Sequence, residues 1–252
     1  MCDAVFFSDL DGTLIFSAGK KLPGDVVCEY KDGAEISCIT ARQAELLPGI
    51  TVIPVTTRSI EQYRRISFPE GFAPEYALAD NGGTLLVNGT PDPEWAELTR
   101  SFTQECHAEL SRCREAMERD PHRSFEIRMV DGLFLFTKSQ RPEISLESLR
   151  GAAGERVKCF CTGAKLYALP EKLCKGALAK RLADRVAPGQ EIICAGDSPM
   201  DVPLLNIADT ALFPDDMPED MITARRKVTS PRERFPEFVT EYFFKQQKGY
   251  TK

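Results

Sequence analysis

The stretch "FFSDLDGTLI", residues 6–15, places Asp9 and Asp11 directly after an apolar run. That run is short and is followed by turn residues, so it predicts a buried strand. Two acids this close together are costly, because like charges at short range disfavour joint ionisation. An isolated pair of this kind is more often a solvated loop or a helix cap, so the rest of the chain decides what the pair means.

Two later apolar runs end in polar residues in the same way. Residues 50–55 lead into "TTRS", and residues 192–194 lead into "GDSPMD", which sets Asp197 and Asp201 four positions apart. Ligands of an open parallel sheet bind outside the carboxyl ends of its strands, so these ends are expected to converge on one site. With helix patterns between the strands, such as residues 175–186, the order predicts an α/β fold with a Rossmann-like, doubly wound parallel sheet.

The middle of the chain has a different pattern. Apolar residues at steps of three and four predict one long amphipathic helix over 93–119. Two strand candidates joined by Asp131 and Gly132 follow, then a helix over 144–152 and two more strands. This order predicts an α+β cap domain, residues 90–170, inserted into a discontinuous core formed by residues 1–89 and 171–252.

A second hairpin is predicted near the first acidic loop. Two β-rich runs within residues 26–40 flank Asp32 and Gly33, a strong turn signal. Because this hairpin follows Asp11 closely, we expect it to act as a flap over that loop.

Bulk composition excludes several classes of protein. The 252 residues carry a net charge of −6, which argues against binding to nucleic acid. The chain has no apolar run long enough to span a membrane and no signal-peptide pattern, which predicts a cytoplasmic protein. Its nine cysteines are scattered without a CxxC pair, which favours reduced thiols over disulfides or a zinc site.

Carboxylates gathered at one sheet edge indicate a hard cation, and oxygen ligands in a partly hydrated site suit Mg²⁺. With such a metal, one carboxylate is free to attack phosphorus while its neighbour handles the proton. Charge that develops on the phosphoryl oxygens would be met by Lys175 and by the hydroxyl of Thr56 or Thr57.

These residues resemble the four motifs of the haloacid dehalogenase-like superfamily of phosphohydrolases. "DLDGTL" matches the first motif, "VTTRS" the second, "CKGAL" the third and "GDSPMD" the fourth, all in the right order. The resemblance implies that Asp9 becomes phosphorylated and that Asp11 acts as general acid and then as base. It also implies that Thr56 and Lys175 hold the phosphoryl group.

The same resemblance implies a magnesium site. Its ligands would be the carboxylates of Asp9 and Asp197 and the backbone carbonyl of Asp11. Asp201 would bind through water or orient the other ligands, and Ser198 is a candidate outer contact.

An insert between the second and third motifs is similar to the large-cap class, which includes Cof-like proteins and sucrose phosphatase. "ADNGG", residues 79–83, resembles the "ENGA" element of that class, with Asp80 in place of Glu, which suggests Asn81 as a substrate contact. "TTR" stands where "TGR" is usual, so Thr57 would narrow the pocket or add a donor. Arg58 would contact phosphate or substrate, or else lie at the surface or cap a helix.

The leading interpretation is a magnesium-dependent phosphatase that acts on a small phosphorylated metabolite, most simply a sugar phosphate. Its cap would close over the substrate and exclude water. A phosphotransferase or mutase that passes the phosphoryl group to a second hydroxyl remains an alternative. A non-catalytic metabolite-binding module is disfavoured, because a pure binder does not need the second carboxylate of the Asp9 and Asp11 pair.

Overall fold

The computed structural model describes residues 4–249. The first part of the chain forms β1 (Ala4–Ser8), β2 (Phe16–Ser17), β3 (Val26–Lys31), β4 (Ala34–Ile39), α1 (Ala41–Leu46), β5 (Ile53–Pro54), α2 (Ile60–Arg64), β6 (Tyr76–Ala79), β7 (Thr84–Val87) and β8 (Thr90–Pro91). The middle forms α3 (Pro93–Glu105), α4 (His107–Arg119), β9 (Arg128–Val130), β10 (Phe134–Lys138), α5 (Pro142–Ala152), β11 (Val157–Thr162) and β12 (Lys165–Pro170). The last part forms α6 (Lys175–Val186), β13 (Glu191–Ala195), α7 (Val202–Leu205), β14 (Thr210–Pro214), β15 (Arg226–Ser230) and α8 (Phe235–Gln247).

The described residues divide into two compact units. The first lies within Met1–Pro91 and Lys175–Lys252, and the second is Asp92–Cys174. The second unit is therefore a single continuous segment inserted into the chain of the first.

A five-stranded parallel sheet forms the centre of the first unit, in the order β15-β14-β13-β1-β5. This confirms the predicted α/β fold with a parallel sheet. β1 lies between β13 and β5, and Ser8 at its end pairs with Ala195 at the end of β13. The backbone N–H of Asp9 then donates to the Ala195 carbonyl at 2.9 Å. The loops that follow the two strands therefore begin side by side.

One face of this sheet is covered by the C-terminal helix. Phe235, Val239 and Phe243 of α8 are fully buried in a cluster that includes Phe6 and Ile193 from the sheet. The Phe6 and Phe243 rings meet edge to face with centroids 5.0 Å apart. The apolar residues of β1 and β13 pack on α8, and this packing holds the carboxyl ends of the two strands in place.

The predicted hairpin over residues 26–40 is present as β3 and β4. Asp32 and Gly33 both have positive φ, 51° and 81°, as a tight two-residue turn requires. The antiparallel register shifts on both sides of Glu29, which marks a β-bulge.

The second unit is an antiparallel sheet in the order β11-β12-β10-β9. Its core contains Leu110 and Cys113 of α4, Leu149 of α5 and Leu135 of the sheet. The prediction of one helix over 93–119 is wrong, because Cys106 adopts φ −115° and ψ 18° and separates α3 from α4. Apolar periodicity continues across this break, since residues on both sides of it face the core, and so the spacing alone does not reveal it.

Residues 4–249 include no helix with the length and apolar character that a bilayer crossing requires. All eight cysteines among them are free thiols, and six of these are buried. The remaining cysteine, Cys2, lies outside the described residues.

Candidate active site

Four of the predicted site residues meet where β1 and β13 end. Asp9 follows β1, and Asp197 follows β13 after Gly196. Asp201 ends the short 3₁₀ helix Pro199–Asp201, and Lys175 is the first residue of α6. The parallel sheet and the start of α6 therefore bring together side chains that lie far apart in the sequence.

Lys175 lies between two of these acids. Its Nζ donates to Asp9 Oδ1 at 2.6 Å and to Asp201 Oδ1 at 2.7 Å. All three residues are buried, and the Lys175 side chain is only 3% exposed. Buried charges in proteins need partners, and here one ammonium group serves two carboxylates.

The electrostatic balance of this cluster is uneven. Burial alone would lower the pKa of Lys175, but Asp201 and Asp9 reverse this and raise it above its ordinary value. Burial raises the pKa of Asp9 well above its ordinary value, and Asp201 raises it further, although Lys175 acts in the opposite direction. Burial, with Asp201 as the next contribution, also raises the pKa of Asp197 to about 6. Asp9 and Asp201 thus share the single positive charge of Lys175, which leaves this pair of acids with too little compensation.

The arrangement of donors around Asp201 favours an orienting role for this residue. Its Oδ2 accepts from the backbone N–H groups of Asp197 and Ser198, at 3.2 and 3.1 Å. The same oxygen accepts from the Ser198 hydroxyl at 2.7 Å, while Oδ1 accepts from Lys175. Oδ2 of Asp201 therefore fixes the loop that carries Asp197, while Oδ1 holds Lys175.

Gly12 lets the loop after β1 approach Asp197 closely. It has φ +85°, and a Cβ atom here would lie 2.3 Å from Asp197 Oδ2. Only glycine fits, since any side chain would meet both a steric clash and an unfavourable backbone conformation. The neighbouring Thr13 is buried and its hydroxyl lies 3.5 Å from Asp197 Oδ1, at the limit of a hydrogen bond.

Asp197 has a cationic neighbour that the sequence reasoning missed. Arg232 Nη1 donates to the Asp197 carbonyl at 3.0 Å and to Oδ2 at 3.1 Å. The other side of the guanidinium donates to both oxygens of Asp216, at 2.6 and 2.7 Å. Arg232 lies in a short 3₁₀ helix after β15, with no motif or periodicity to single it out.

The acids fit the predicted magnesium site. Asp9, Asp197 and Asp201 each offer a carboxylate oxygen, and these oxygens all lie within 4.8 Å of one another. Hard oxygen donors of this kind suit Mg²⁺, and a divalent cation would offset the charge that Lys175 leaves uncompensated. The Asp9/Asp197/Asp201 cluster is consistent with a magnesium site.

Asp11 points to a different partner. Arg58 donates to both of its oxygens, from Nε to Oδ2 and from Nη2 to Oδ1, each at 2.7 Å. Arg58 also donates from Nη1 to the buried Glu29 at 2.8 Å. Burial lowers the pKa of Arg58, but the hydrogen bonds that it donates to Asp11 and Glu29, together with their negative charges, outweigh this and raise it. The guanidinium thus binds two carboxylates in this structure. Its contact with phosphate or substrate stays a prediction.

The remaining predicted residues lie in two loops joined through their backbones. Thr56 is buried, and its hydroxyl accepts from the Arg58 N–H at 3.1 Å. Asn81 has φ 59°, and its N–H donates to the Thr56 carbonyl at 2.8 Å. Thr57 is partly buried in the same loop. Loop 79–83 follows β6 and precedes β7, a hairpin that the sequence reasoning did not predict.

Comparison with known proteins gives a structural likeness without a sequence match. No family model matches the chain, and neither does any curated protein. The sucrose-phosphatase of Synechocystis, solved with sucrose and phosphate, superposes with a TM-score of 0.65 at 16% identity over 96% of this chain and 98% of that one.

Two further solved structures agree with this likeness. A trehalose-6-phosphate phosphatase of Aspergillus fumigatus has a TM-score of 0.56 at 15% identity and covers 94% of this chain and 92% of its own. A haloacid dehalogenase-like hydrolase of Bacillus subtilis has a TM-score of 0.56 at 16% identity over 95% of this chain and 98% of that one. The chain therefore has the fold of the haloacid dehalogenase-like hydrolases, with the inserted second sheet.

Proposed function

We propose that this protein is a magnesium-dependent phosphatase that hydrolyses a small phosphorylated metabolite through an aspartyl phosphate on Asp9. One observation carries the proposal: the Lys175 ammonium bridges the buried Asp9 and Asp201, and the partly buried Asp197 completes the cluster. A structural ion pair needs one carboxylate for each ammonium group. An excess of buried acid at the carboxyl ends of parallel strands is instead typical of a site that binds a cation and an anionic substrate.

In the first step, an Asp9 carboxylate oxygen attacks phosphorus. The bond from phosphorus to the ester oxygen breaks, and its electron pair goes to that oxygen, which takes a proton from the carboxyl group of Asp11. Lys175 lies next to the attacking carboxylate, at 2.6 Å, and there it can offset negative charge on the phosphoryl oxygens.

In the second step, water attacks the phosphorus of the aspartyl phosphate. Asp11, now a carboxylate, accepts a proton from that water as the bond to the Asp9 oxygen breaks. Inorganic phosphate leaves, and both side chains return to their starting states. Buried Thr56 would donate to the phosphoryl group, and Asn81, whose loop is joined to Thr56, would contact the substrate.

Mg²⁺ would be held by Asp9, Asp197 and the backbone carbonyl of Asp11, with Asp201 as orienter, and when bound it supplies positive charge to the phosphoryl group. The protein's own contribution is to fix these oxygens. Asp201 does so through the N–H groups of the Asp197 loop, and Gly12 does so by allowing the two loops to approach.

A sugar phosphate is the substrate class that we favour. Support comes from the two neighbours whose names give their substrates, a sucrose-phosphatase and a trehalose-6-phosphate phosphatase, which match this chain over nearly all its length. At 16% and 15% identity these matches show the fold alone, so the choice of a sugar rests on the substrate test that follows.

The test is phosphate release from a panel of phosphorylated sugars, polyols, nucleotides and cofactors, with and without Mg²⁺. We expect magnesium-dependent release that prefers one sugar phosphate, and no release by the Asp9→Asn variant. Full activity in Asp9→Asn would contradict the aspartyl-phosphate mechanism. Transfer of the phosphoryl group to a second sugar, in place of release, would favour the phosphotransferase alternative.

A further inference from the structure

Glu29 on the β3–β4 hairpin is a buried carboxylate that the mechanism above does not use. Its side chain is 0% exposed, and its two oxygens accept hydrogen bonds from three side chains. Oε2 accepts from the Ser37 hydroxyl at 2.7 Å and from Arg58 Nη1 at 2.8 Å, while Oε1 accepts from Arg65 Nε at 3.2 Å. A fully buried acid that binds two arginines acts as a fixed point for both.

Arg58 links the buried Glu29 to Asp11 in the candidate active site. Its guanidinium donates to Glu29 from Nη1 and to the two Asp11 oxygens from Nε and Nη2. The Arg58 side chain is 11% exposed, whereas the Asp11 side chain is 53% exposed. The buried end of this chain of contacts is therefore Glu29, and the end that would otherwise rotate in solvent is Asp11.

The hairpin is itself tied to the segment that carries the arginines. Its register shifts at Glu29, which re-aims that side chain out of the regular alternation. The backbone of Glu29 also forms an isolated antiparallel β-bridge with Ile66. Beside it, the Ser67 N–H donates to the Cys28 carbonyl at 2.7 Å. The Ser37 hydroxyl, opposite Glu29 on β4, accepts from Arg58 Nη2 at 3.2 Å.

We propose that Glu29 is a positioning residue for proton transfer, acting through Arg58 to hold the Asp11 side chain in one orientation toward the leaving-group oxygen. In the acid form, one Asp11 oxygen still accepts from Arg58, and the other carries the proton that passes to the leaving group. This inference rests on the proposed phosphatase function and deepens it. Proton transfer by Asp11 then depends on the hairpin through the buried charge of Glu29. Without that anchor, Arg58 keeps its charge but loses its fixed position, and Asp11 loses its orientation.

The test uses two aryl phosphates that differ in their need for a general acid. Phenolate is a poor leaving group and needs a proton, whereas dinitrophenolate leaves readily without one. kcat/KM reports the steps up to phosphorylation of Asp9, so it isolates the donation of that proton. A merely structural loss lowers kcat/KM for both esters alike, whereas a loss of proton donation lowers it for phenyl phosphate alone.

For the Glu29→Gln variant with Mg²⁺, we expect kcat/KM to fall about tenfold or more on phenyl phosphate, and less than about threefold on dinitrophenyl phosphate. Glu29→Asp should restore part of the loss, because it returns the charge. Glu61→Gln is the matched control, since Glu61 is exposed and contacts Arg65 at 3.4 Å. It should equal the wild type on both esters.

If Glu29→Gln does not fold, Arg58→Lys provides the second variant, because it keeps the charge but cannot bind both carboxylates. It should show the same selective loss on phenyl phosphate. Equal losses on both esters in the folded variants, or no loss on either, would overturn the inference while leaving the phosphatase function intact. A wild-type protein that releases phosphate neither from these esters nor from any member of the metabolite panel would overturn the proposed function and this inference with it.

Discussion

At the scale of single residues, the electrostatics of the site depend on Lys175. Its ammonium group is buried between Asp9 and Asp201, and the pKa values of Asp9 and Asp197 are both raised. Removing the ammonium would leave buried carboxylates without their cation, and a broken buried pair is far more costly than an intact one is stabilising. Lys175 therefore supports both the fold and the proposed chemistry.

We predict that Lys175→Gln lowers the free energy of unfolding by about 3 kcal/mol in the absence of Mg²⁺. Urea denaturation followed by circular dichroism measures this. Lys180→Gln is the control, because Lys180 lies on the same helix, is 48% exposed and pairs with Asp184. That control should unfold like the wild type. Equal midpoints for the two variants would mean that the buried bridge contributes nothing to stability.

Metal binding gives a second residue-scale prediction. Mg²⁺ should raise the melting temperature of the wild type, because it binds the folded site, and by linkage a concentration one hundred times the Kd stabilises by about 2.7 kcal/mol. Asp197→Asn should weaken Mg²⁺ binding at least about tenfold and so reduce the shift. Asp216→Asn is the control, because it likewise changes a carboxylate partner of Arg232, but Asp216 lies outside the acid cluster. This variant should show the full Mg²⁺-dependent rise in melting temperature. A full shift in Asp197→Asn would exclude Asp197 as a ligand.

At the scale of elements, substitutions at two glycines distinguish the cost of a positive φ from the cost of a steric clash. The two glycines have similar backbone conformations, but only one of them lies close to another side chain. Gly12 has φ +85° and faces Asp197, whereas Gly33 has φ +81° in the β3–β4 turn, where a Cβ atom would have no neighbour within 4 Å among residues 4–249. Gly33→Ala should cost about 1 kcal/mol in free energy of unfolding and leave phosphate release intact. Gly12→Ala carries the same strain and also displaces the Asp197 carboxylate, so phosphate release should fall about a hundredfold. Equal activity in the two variants would show that Asp197 tolerates the displacement.

Most elements with a local sequence signal were predicted, and two features were missed. Apolar runs before acids marked β1 and β13, and a turn dipeptide marked the β3–β4 hairpin. The break at Cys106 was missed because the apolar stripe continues across it, and the β6–β7 hairpin was missed although its loop contains the turn dipeptide Asn81-Gly82. Local patterns report burial and turns, but they do not report where a backbone leaves the helix while its side chains stay in the core.

At the scale of the whole molecule, the same limit applies to the site. Asp9, Lys175 and Asp197 were recognisable because each follows a strand or begins a helix within a sequence motif, and Asp201 was recognisable because it ends the motif that follows β13. Glu29 was not, because its role depends on a β-bulge and on an arginine 29 positions away. Tertiary packing determines such long-range partners, so the two residues of a pair have no characteristic spacing that a single sequence would reveal.

The division into two compact units gives the last prediction. Each unit has its own hydrophobic core, so each should unfold as its own cooperative unit. The only tryptophan in the sequence, Trp95, is buried in α3 and so reports on the second unit. Leu135→Ala removes a fully buried side chain from that core and should cost about 2 to 5 kcal/mol.

In Leu135→Ala, the Trp95 fluorescence transition should therefore move to lower denaturant concentration. Hydrogen exchange of β1 amides, which belong to the first unit, should stay at the wild-type rate, because the Phe6 and Phe243 packing that protects them is unchanged. Phe243→Ala is the reciprocal variant and should accelerate exchange in β1 while leaving the Trp95 transition in place. Faster exchange in β1 caused by Leu135→Ala would show that the two cores unfold together, because the loss in one core would then have reached the strand that positions Asp9.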